Sequence, residues 1–165
     1  MSRGLGDVYK RQPEVETTLR GISKKVINKK IESFKSRTQK LRWPLDRDLS
    51  RFLKNKIIIS AWRRGKYIIF NLSEGHLLIH LGMSGKLRVF DGQVTPKKHE
   101  HWDLSFTDGW TLRYTDIRKF GALVKIKEKP EEHKLLKNLG PEPLGNEFNS
   151  EYLFQCTRTV SYTHL

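Results

Sequence analysis

Apolar residues recur at helical spacing near the start of the chain. They stand three or four positions apart, at Val15, Leu19, Ile22 and Val26, so a helix would carry them on one face. Pro13 and Glu14 precede this stripe, and both suit a first helical turn because proline has a fixed φ and a carboxylate interacts with the positive end of the helix dipole. The pattern predicts a helix that begins at Pro13 and packs against a core.

Most of the remaining chain alternates between short apolar runs and turns. A strand with Ile31 and Phe34 facing inward is predicted within residues 29–38, and a short helix is predicted within 45–55. Further strands are predicted at 57–63, 66–72, 77–81, 87–90, 102–106, 111–114 and 122–127, and further helices at 134–139 and 149–157. Glycines lie in the turns between the strands. Short strands in such succession are typical of a β-sandwich or a barrel.

Two predicted turns carry side chains with no obvious structural use. Residues 82–85 (Gly-Met-Ser-Gly) join two predicted strands as a hairpin, which places Met83 at the tip. Met83 either folds back to fill an irregular gap or offers a flexible apolar group to a ligand. The turn at 116–121 places Arg118 and Phe120 on one face if it is extended. A cation, an aromatic ring and a methionine suit insertion between stacked bases.

The two ends of the chain have a common origin at the DNA level. Residues 7–12 can be encoded by a DNA sequence whose reverse complement, read in another frame, encodes residues 160–165. Inverted ends of this kind are typical of a ligated adaptor. We therefore expect residues 1–12 and 160–165 to be adaptor-derived tails and exclude them from the interpretation of the fold. Residues 13–159 are enough for one domain.

The charge balance favours a polyanionic partner. The chain has 32 Lys and Arg against 18 Asp and Glu, a net charge of +14, and the first twelve residues account for +2 of it. Nucleic acid is the simplest partner, although ribosomal and membrane-surface proteins can be as basic.

The single cysteine, Cys156, excludes an internal disulfide and a multi-cysteine metal site in this segment, and it fits a reducing cytoplasm. No apolar run approaches the roughly 20 residues that span a bilayer, and we expect no secretory signal and no membrane partner.

Several polar residues allow both a chemical and a structural interpretation. Residues 63–67 place three cations at a turn. The turn is either a solvated surface segment or a phosphate cradle, in which Gly65 would let backbone N–H groups approach an anion. Lys66 is a candidate proton donor or amine nucleophile. Glu14 and Glu16 are either acid/base groups or stabilisers of the helix start. His99 and His101 resemble a metal pair in composition only, and a phosphate contact from a histidine is favoured.

Six motifs occur in the order of one known family. They are Pro-Glu-Val-Glu-Thr-Thr at 13–18, Arg-Gly-Lys-Tyr at 64–67, His-Leu-Gly-Met-Ser-Gly at 80–85, Lys-His-Glu-His at 98–101, Tyr-Thr-Asp-Ile-Arg-Lys-Phe-Gly at 114–121 and Leu-Gly-Pro-Glu-Pro-Leu at 139–144. Together they resemble bacterial formamidopyrimidine-DNA glycosylases over nearly all of residues 13–159.

The resemblance implies an α+β fold: a two-sheet β-sandwich with an N-terminal helix and short flanking helices. Residues 13–133 would form the catalytic lobe, and residues 134–159 a linker and the start of a helix-two-turns-helix domain. The implied activity is removal of oxidised purines, such as 8-oxoguanine and formamidopyrimidines, with cleavage at the abasic site. The implied partner is double-stranded DNA with oxidised bases or abasic sites, bound by a monomer in the bacterial cytoplasm, at the nucleoid.

The matched motifs also imply roles for single residues. Lys66 resembles the lysine that donates a proton during β-elimination, and Glu14 remains a candidate catalytic carboxylate. His99 and Arg118 resemble DNA contacts. Met83, Arg118 and Phe120 resemble the side chains that fill the gap left by an everted nucleotide, and we call these three residues the wedge.

The sequence departs from the family pattern at its ends. Members of the family begin with a proline whose secondary amine attacks the sugar, followed by a glutamate, and residues 9–12 stand in that place here. The family's C-terminal four-cysteine zinc finger has no counterpart, so we expect no cofactor in this segment and one zinc ion in the missing part. We expect this polypeptide to be inactive; the alternative is a non-catalytic lobe that binds damaged DNA. A barrel for single strands is disfavoured because the aromatics do not cluster.

Overall fold

A computed structural model describes residues 12–92 and 94–158 of the chain. Its elements in chain order are helix α1 (Gln12–Val26), strand β1 (Ile31–Ser36), helix α2 (Leu49–Leu53), strands β2 (Ile58–Arg64), β3 (Tyr67–Leu72), β4 (His76–His80), β5 (Lys86–Asp91), β6 (Glu100–Phe106), β7 (Trp110–Thr115) and β8 (Ala122–Ile126), a 3-10 helix (Pro130–Glu132) and helix α3 (Ser150–Arg158). Apart from Gln12, the expected adaptor-derived tails lie outside the described residues.

The strands form two antiparallel sheets of four strands each. The first sheet has the order β1-β6-β7-β5, and the second has the order β2-β3-β4-β8. Two packed sheets with an N-terminal helix confirm the predicted α+β sandwich and not the closed barrel that the strand pattern left open. None of the described helices is long and apolar enough to cross a membrane.

The two N-terminal elements form where the apolar pattern predicts them. Helix α1 buries all four residues of the predicted stripe, Val15, Leu19, Ile22 and Val26. In β1, Ile31 and Phe34 are buried, as predicted. They are three residues apart because the pairing of β1 with β6 shifts register between Ile31 and Ser33, and a bulge of this kind interrupts strict alternation.

Strands β3 and β4 each contain an unbroken apolar run, at 67–70 and 77–79, because both faces of these runs are covered. Ile68 and Phe70 point into the main core between the sheets, where α1 also packs. Ile69 and Leu78 lie on the opposite face and contact a second cluster that includes Leu136. The segment after β8 therefore covers the outer face of the second sheet.

The predicted hairpin at residues 77–90 is wrong. Strand β4 pairs with β3 and β8 in the second sheet, whereas β5 pairs with β7 in the first sheet. Residues 81–85 therefore cross from one sheet to the other. A strand, turn and strand pattern is the same for a hairpin and for a crossing, because the partner of each strand lies elsewhere in the chain.

The predicted helix at 134–139 is also wrong, because this segment forms only turns. The N–H of Lys137 donates to the carbonyl of His133 at 3.0 Å, and the N–H of Leu139 donates to that of Leu136 at 3.0 Å. One helical turn is all that fits before Gly140 and Pro141, since the residue before a proline avoids the helical conformation.

A buried ion network lies on the first sheet. Asp103 accepts two hydrogen bonds from Arg113, at 2.7 and 2.9 Å, and two from Arg37, at 2.8 and 2.9 Å. Burial opposes ionisation of Asp103, but the bonds from both guanidinium groups outweigh it and hold the pKa of this carboxyl below its usual range. Arg113 also donates to the carbonyl of Val94 at 2.6 Å, so the network anchors the loop between β5 and β6.

Removing the carboxylate of this network should destabilise the fold strongly. We expect Asp103→Ala to lower the free energy of unfolding by about 3–5 kcal/mol. The buried Arg113 loses two of its hydrogen bonds and keeps only Glu100, at 2.9 Å, and the Val94 carbonyl as partners. Urea denaturation measures the loss. Asp48→Ala is the control: its partner Arg51 is exposed, so the loss should stay below about 1 kcal/mol. Equal losses in both variants would contradict a structural role for the network.

Candidate functional site

Two chain segments cross between the sheets side by side. One connects β4 to β5, and the other, residues 116–121, connects β7 to β8. His80 at the end of β4 pairs with Ala122 at the start of β8, and Lys86 at the start of β5 pairs with Thr115 at the end of β7. Both crossings therefore begin and end at paired residues. The register alone brings the turn of Met83 next to the turn of Arg118 and Phe120.

The buried carboxylate of Asp116 joins the two crossings. One oxygen, Oδ1, accepts a hydrogen bond from the Ser84 hydroxyl at 2.5 Å and one from the Arg118 N–H at 3.2 Å. The other, Oδ2, lies 3.0 Å from the Tyr114 hydroxyl and 2.9 Å from the Gly121 nitrogen. Burial opposes ionisation, but these donors outweigh it and keep the pKa of Asp116 below its usual range. Donors to a carboxylate favour its charged form.

Glycines allow the crossings to approach closely. Gly82 has a φ of +67°, and a Cβ there would lie 2.5 Å from the backbone nitrogen of Gly121. A Cβ on Gly121 would lie 1.7 Å from the Tyr114 hydroxyl oxygen. Neither position has room for a larger residue without moving the Asp116 network.

The wedge side chains project from the two crossings that the buried Asp116 network joins. Met83 is 49% exposed and Phe120 is 45% exposed, so Met83 does not fill a gap in the core. The Arg118 guanidinium lies 4.7 Å from the centre of the Phe120 ring, a distance typical of a cation–π contact. The structure thus places all three predicted wedge residues on the adjoining crossings.

A pocket of about 460 Å³ opens beside the first crossing. Glu14 from the start of α1, Lys66 from the turn between β2 and β3, and Met83 all line it. Within residues 12–92 and 94–158, neither the Glu14 carboxylate nor the Lys66 amine has a hydrogen bond or an ion pair. The two predicted catalytic side chains therefore lie around one cavity with their polar groups available to a ligand.

The neighbouring carboxylate, Glu16, is already paired with two arginines. It accepts hydrogen bonds from Arg20 at 2.8 Å and from Arg63 at 3.1 Å, and these bonds outweigh burial and lower its pKa. Of the two glutamates considered from the sequence, Glu16 therefore belongs to the packing of α1 against β2, and Glu14 belongs to the pocket.

The two histidines at 99 and 101 differ in their surroundings. His101 is buried, and its Nε2 lies 2.7 Å from the carbonyl oxygen of Asp116. His99 is half-buried, has a φ of +69° and accepts the Asp116 N–H at its own carbonyl at 2.9 Å. Its imidazole has no hydrogen bond to any described residue. His101 is thus structural, while His99 keeps its ring for an external contact.

Sequence reasoning missed the residues that hold this site together. The sequence pattern assigns no role to Asp116 or Tyr114, although both lie in the motif at 114–121. An acidic residue between an apolar strand and a basic turn was the available signal.

Within the described ranges, no group of three or more His, Cys, Asp or Glu residues is arranged to hold a metal ion.

Comparison with known proteins decides the family. Residues 11–123 match the family described as formamidopyrimidine-DNA glycosylase N-terminal domain. The chain belongs to this glycosylase family. The formamidopyrimidine-DNA glycosylase of Psychromonas ingrahamii is 50% identical over 143 residues, which cover 87% of this chain and 53% of the relative. That of Saccharophagus degradans is 46% identical over 149 residues, which cover 90% of this chain and 55% of the relative.

Solved structures of the glycosylase family share the fold. The Lactococcus lactis enzyme in complex with DNA containing FAPY-dG has a TM-score of 0.80 and 32% identity, and the match covers 90% of this chain and 56% of that one. A complex of the same enzyme with DNA containing an AP site has a TM-score of 0.77 and 34% identity, covering 89% and 56%. The chain thus spans about half the length of the glycosylases it matches.

The Asp116 network should make stability depend on pH. Because the folded pKa of Asp116 lies below the unfolded value of about 3.9, its ionised form stabilises the fold above that pH, and this contribution is lost as the pH falls through the folded pKa. We expect Asp116→Asn to be less stable than the parent at neutral pH, and the difference to shrink on acidification. Urea denaturation between about pH 7 and pH 3 measures it.

Asp91→Asn serves as the control for this measurement. Asp91 is exposed in β5, and its variant should follow the parent at each pH. A constant difference between the parent and Asp116→Asn at every pH would contradict the stabilising ionisation.

Proposed function

We propose that this chain is the N-terminal lobe of a glycosylase that removes oxidised purines from double-stranded DNA and cleaves the strand at the abasic site. The observation that carries the proposal is the pocket shared by Glu14, Lys66 and Met83, next to the crossing with Arg118 and Phe120. The names of the relatives and the damaged DNA in the related Lactococcus lactis complexes support it.

Removal of a base requires that its nucleotide leave the stack. Eversion costs a few kcal/mol, and side chains that fill the vacated space offset part of that cost. Met83 and Phe120 supply exposed apolar surface for this purpose, and Arg118 supplies a cation for the orphaned base or a phosphate. The crossings that carry them are fixed by buried hydrogen bonds, so little conformational freedom is lost on insertion.

The pocket provides groups for the chemical steps. Lys66 is proposed to donate a proton from its ammonium group during β-elimination, and Glu14 to act as an acid or base on the everted nucleotide. Pro13 is not the amine nucleophile of the family, because it lies inside α1 and its nitrogen belongs to a peptide bond. The nucleophile is proposed to be a proline at the mature start of the whole protein.

The basic charge and His99 support the proposed contact with the DNA backbone. His99 and Arg118 are both proposed to contact the DNA, His99 at a phosphate. Phosphate contacts position a protein on the duplex without reading its sequence. The net charge of +14 favours such contacts. They weaken as the salt concentration rises, because the counterions that binding releases from the DNA then gain less entropy. The whole protein is proposed to bind this DNA as a monomer in the cytoplasm, at the nucleoid.

The division of the chain and the zinc ion are part of the same proposal. Residues 13–133 are proposed to be the catalytic lobe, and residues 134–159 the linker and the start of a helix-two-turns-helix domain. The described residues do not fit a four-cysteine zinc site, since the chain has the single cysteine Cys156. The zinc ion is therefore proposed for a part of the whole protein beyond this chain.

The activity is tested with the protein encoded by the uninterrupted gene. It should release formamidopyrimidine or 8-oxoguanine from duplex DNA and form a covalent adduct that borohydride traps. Lys66→Met should slow strand cleavage at abasic sites by about 10²-fold, the usual contribution of a general acid. Gel assays of strand cleavage and adduct formation measure both.

Lys24→Met, which removes an exposed cation of α1, is the matched control and should cleave like the parent. The chain of residues 1–165 by itself should form no adduct, because its Pro13 nitrogen is an amide. An adduct formed by this chain at the parent rate would show that the nucleophile lies within it, and absence of cleavage by the whole protein would refute the enzyme in favour of a lobe that only binds DNA.

The wedge is tested by comparing two DNA substrates. In the whole protein, Met83→Ala combined with Phe120→Ala should weaken binding to duplex DNA with an oxidised purine by about tenfold more than binding to abasic DNA, because an abasic site has no base to unstack. Ile117→Ala is the control, since Ile117 is 66% exposed in the same crossing. Equal losses of affinity on both substrates would show that these side chains do not assist eversion.

A further inference from the structure

The turn that carries Lys66 is bound by a distant carboxylate. Glu142 accepts the backbone N–H of Gly65 at 2.6 Å through Oε1 and pairs with Arg63 at 2.9 Å through Oε2. Arg64 donates to the carbonyls of Leu139 at 3.0 Å and Gly140 at 2.8 Å. The phosphate cradle considered from the sequence is thus occupied by the protein's own carboxylate.

This contact is built from partly buried groups. The side chains of Arg63 and Glu142 are 19% and 26% exposed, and partly buried charges are screened less by salt than exposed ones. Glu142 also stands between Pro141 and Pro143, whose fixed φ angles limit the freedom of the backbone around it. Little conformational freedom is therefore left to oppose the contact.

Arg63 also connects Glu142 to helix α1. Arg63 binds Glu142 on one side and donates to Glu16 of α1 at 3.1 Å on the other. Glu16 is two residues from Glu14, and Gly65 directly precedes Lys66. One ion network thus connects the segment at 139–142 with the two elements that carry the proposed catalytic side chains.

We infer that Glu142 is a positioning residue, which holds the Gly65 and Lys66 turn and the start of α1 in place around the pocket. The consequence for catalysis rests on the proposed function. Glu142 touches no substrate: it fixes the backbone from which Lys66 extends and orients the arginine that restrains α1. The placement of Lys66 then depends on a carboxylate from the segment that leads to the next domain.

The contact itself is tested without DNA. In the chain of residues 1–165, amide hydrogen exchange at Gly65 should accelerate by about tenfold in Glu142→Ala, since its N–H loses a charged acceptor. Exchange at Leu104 in the core serves as the reference for global stability. Glu147→Ala, an exposed carboxylate of the same segment, should leave Gly65 unchanged. Unchanged exchange in Glu142→Ala would overturn the inference.

The consequence for catalysis is tested with abasic DNA and the whole protein. Glu142→Ala should lower kcat for strand cleavage by about tenfold with KM changed less than about twofold, because a misplaced proton donor affects the chemical step more than binding. Glu142→Gln should recover part of the loss. Its amide oxygen can accept the Gly65 N–H, but the neutral side chain cannot form the ion pair with Arg63. Equal kcat in Glu142→Ala and the parent would overturn the positioning role.

The two tests separate this inference from the proposed function. A parent protein that fails to cleave abasic DNA would refute the proposed activity, while the exchange at Gly65 would still decide whether Glu142 holds the turn. A parent that cleaves, together with a Glu142→Ala variant that cleaves equally well, would refute the inference alone.

Discussion

The burial of the Asp116 carboxylate is the constraint on which the candidate site depends. An ionised carboxylate without partners in the interior costs several kcal/mol, so its donors must come together before the fold is stable. Those donors come from Ser84 on one crossing and from Arg118 and Gly121 on the other. Separation of the two crossings would therefore expose the Asp116 carboxylate to solvent or leave it buried with fewer hydrogen-bond donors.

This constraint places exposed apolar side chains on a backbone that buried hydrogen bonds hold in position. Met83 and Phe120 remain about half exposed, which is unfavourable for isolated apolar groups in water but suits groups that enter another molecule. Because the turns below them are fixed by hydrogen bonds and by the close approach of Gly82 to Gly121, the position of the apolar surface is set before any ligand arrives. Preorganisation of this kind reduces the entropy lost on binding.

A second carboxylate plays a comparable part on the other side of the pocket. Glu142 holds the turn that precedes Lys66, as Asp116 holds the turn around Met83. In both cases the acceptor is far along the chain from at least one of its donors, and backbone N–H groups are among the donors. The pocket thus has walls whose geometry is fixed by buried or partly buried anions in a strongly basic protein.

The sequence by itself determined the local elements and the chemical repertoire. The buried stripe of α1, the inward residues of β1 and the positions of the strands follow from periodicity, which depends on near neighbours alone. The motif resemblance identified the family. The roles that it implies for single residues stay predictions, and the structure places Glu14, Lys66 and Met83 around one pocket.

Only the tertiary structure decided which strands pair and which charges meet. The run at 77–90 has the pattern of a hairpin, yet its strands belong to different sheets because each finds a better partner in a strand further along the chain. Residues 134–139 have helical spacing, but a proline soon ends the turn. Arg63 and Arg64 have the composition of a phosphate cradle, and Asp116 looks like an ordinary turn residue. Their roles come from acceptors and donors many residues away, which no local pattern contains.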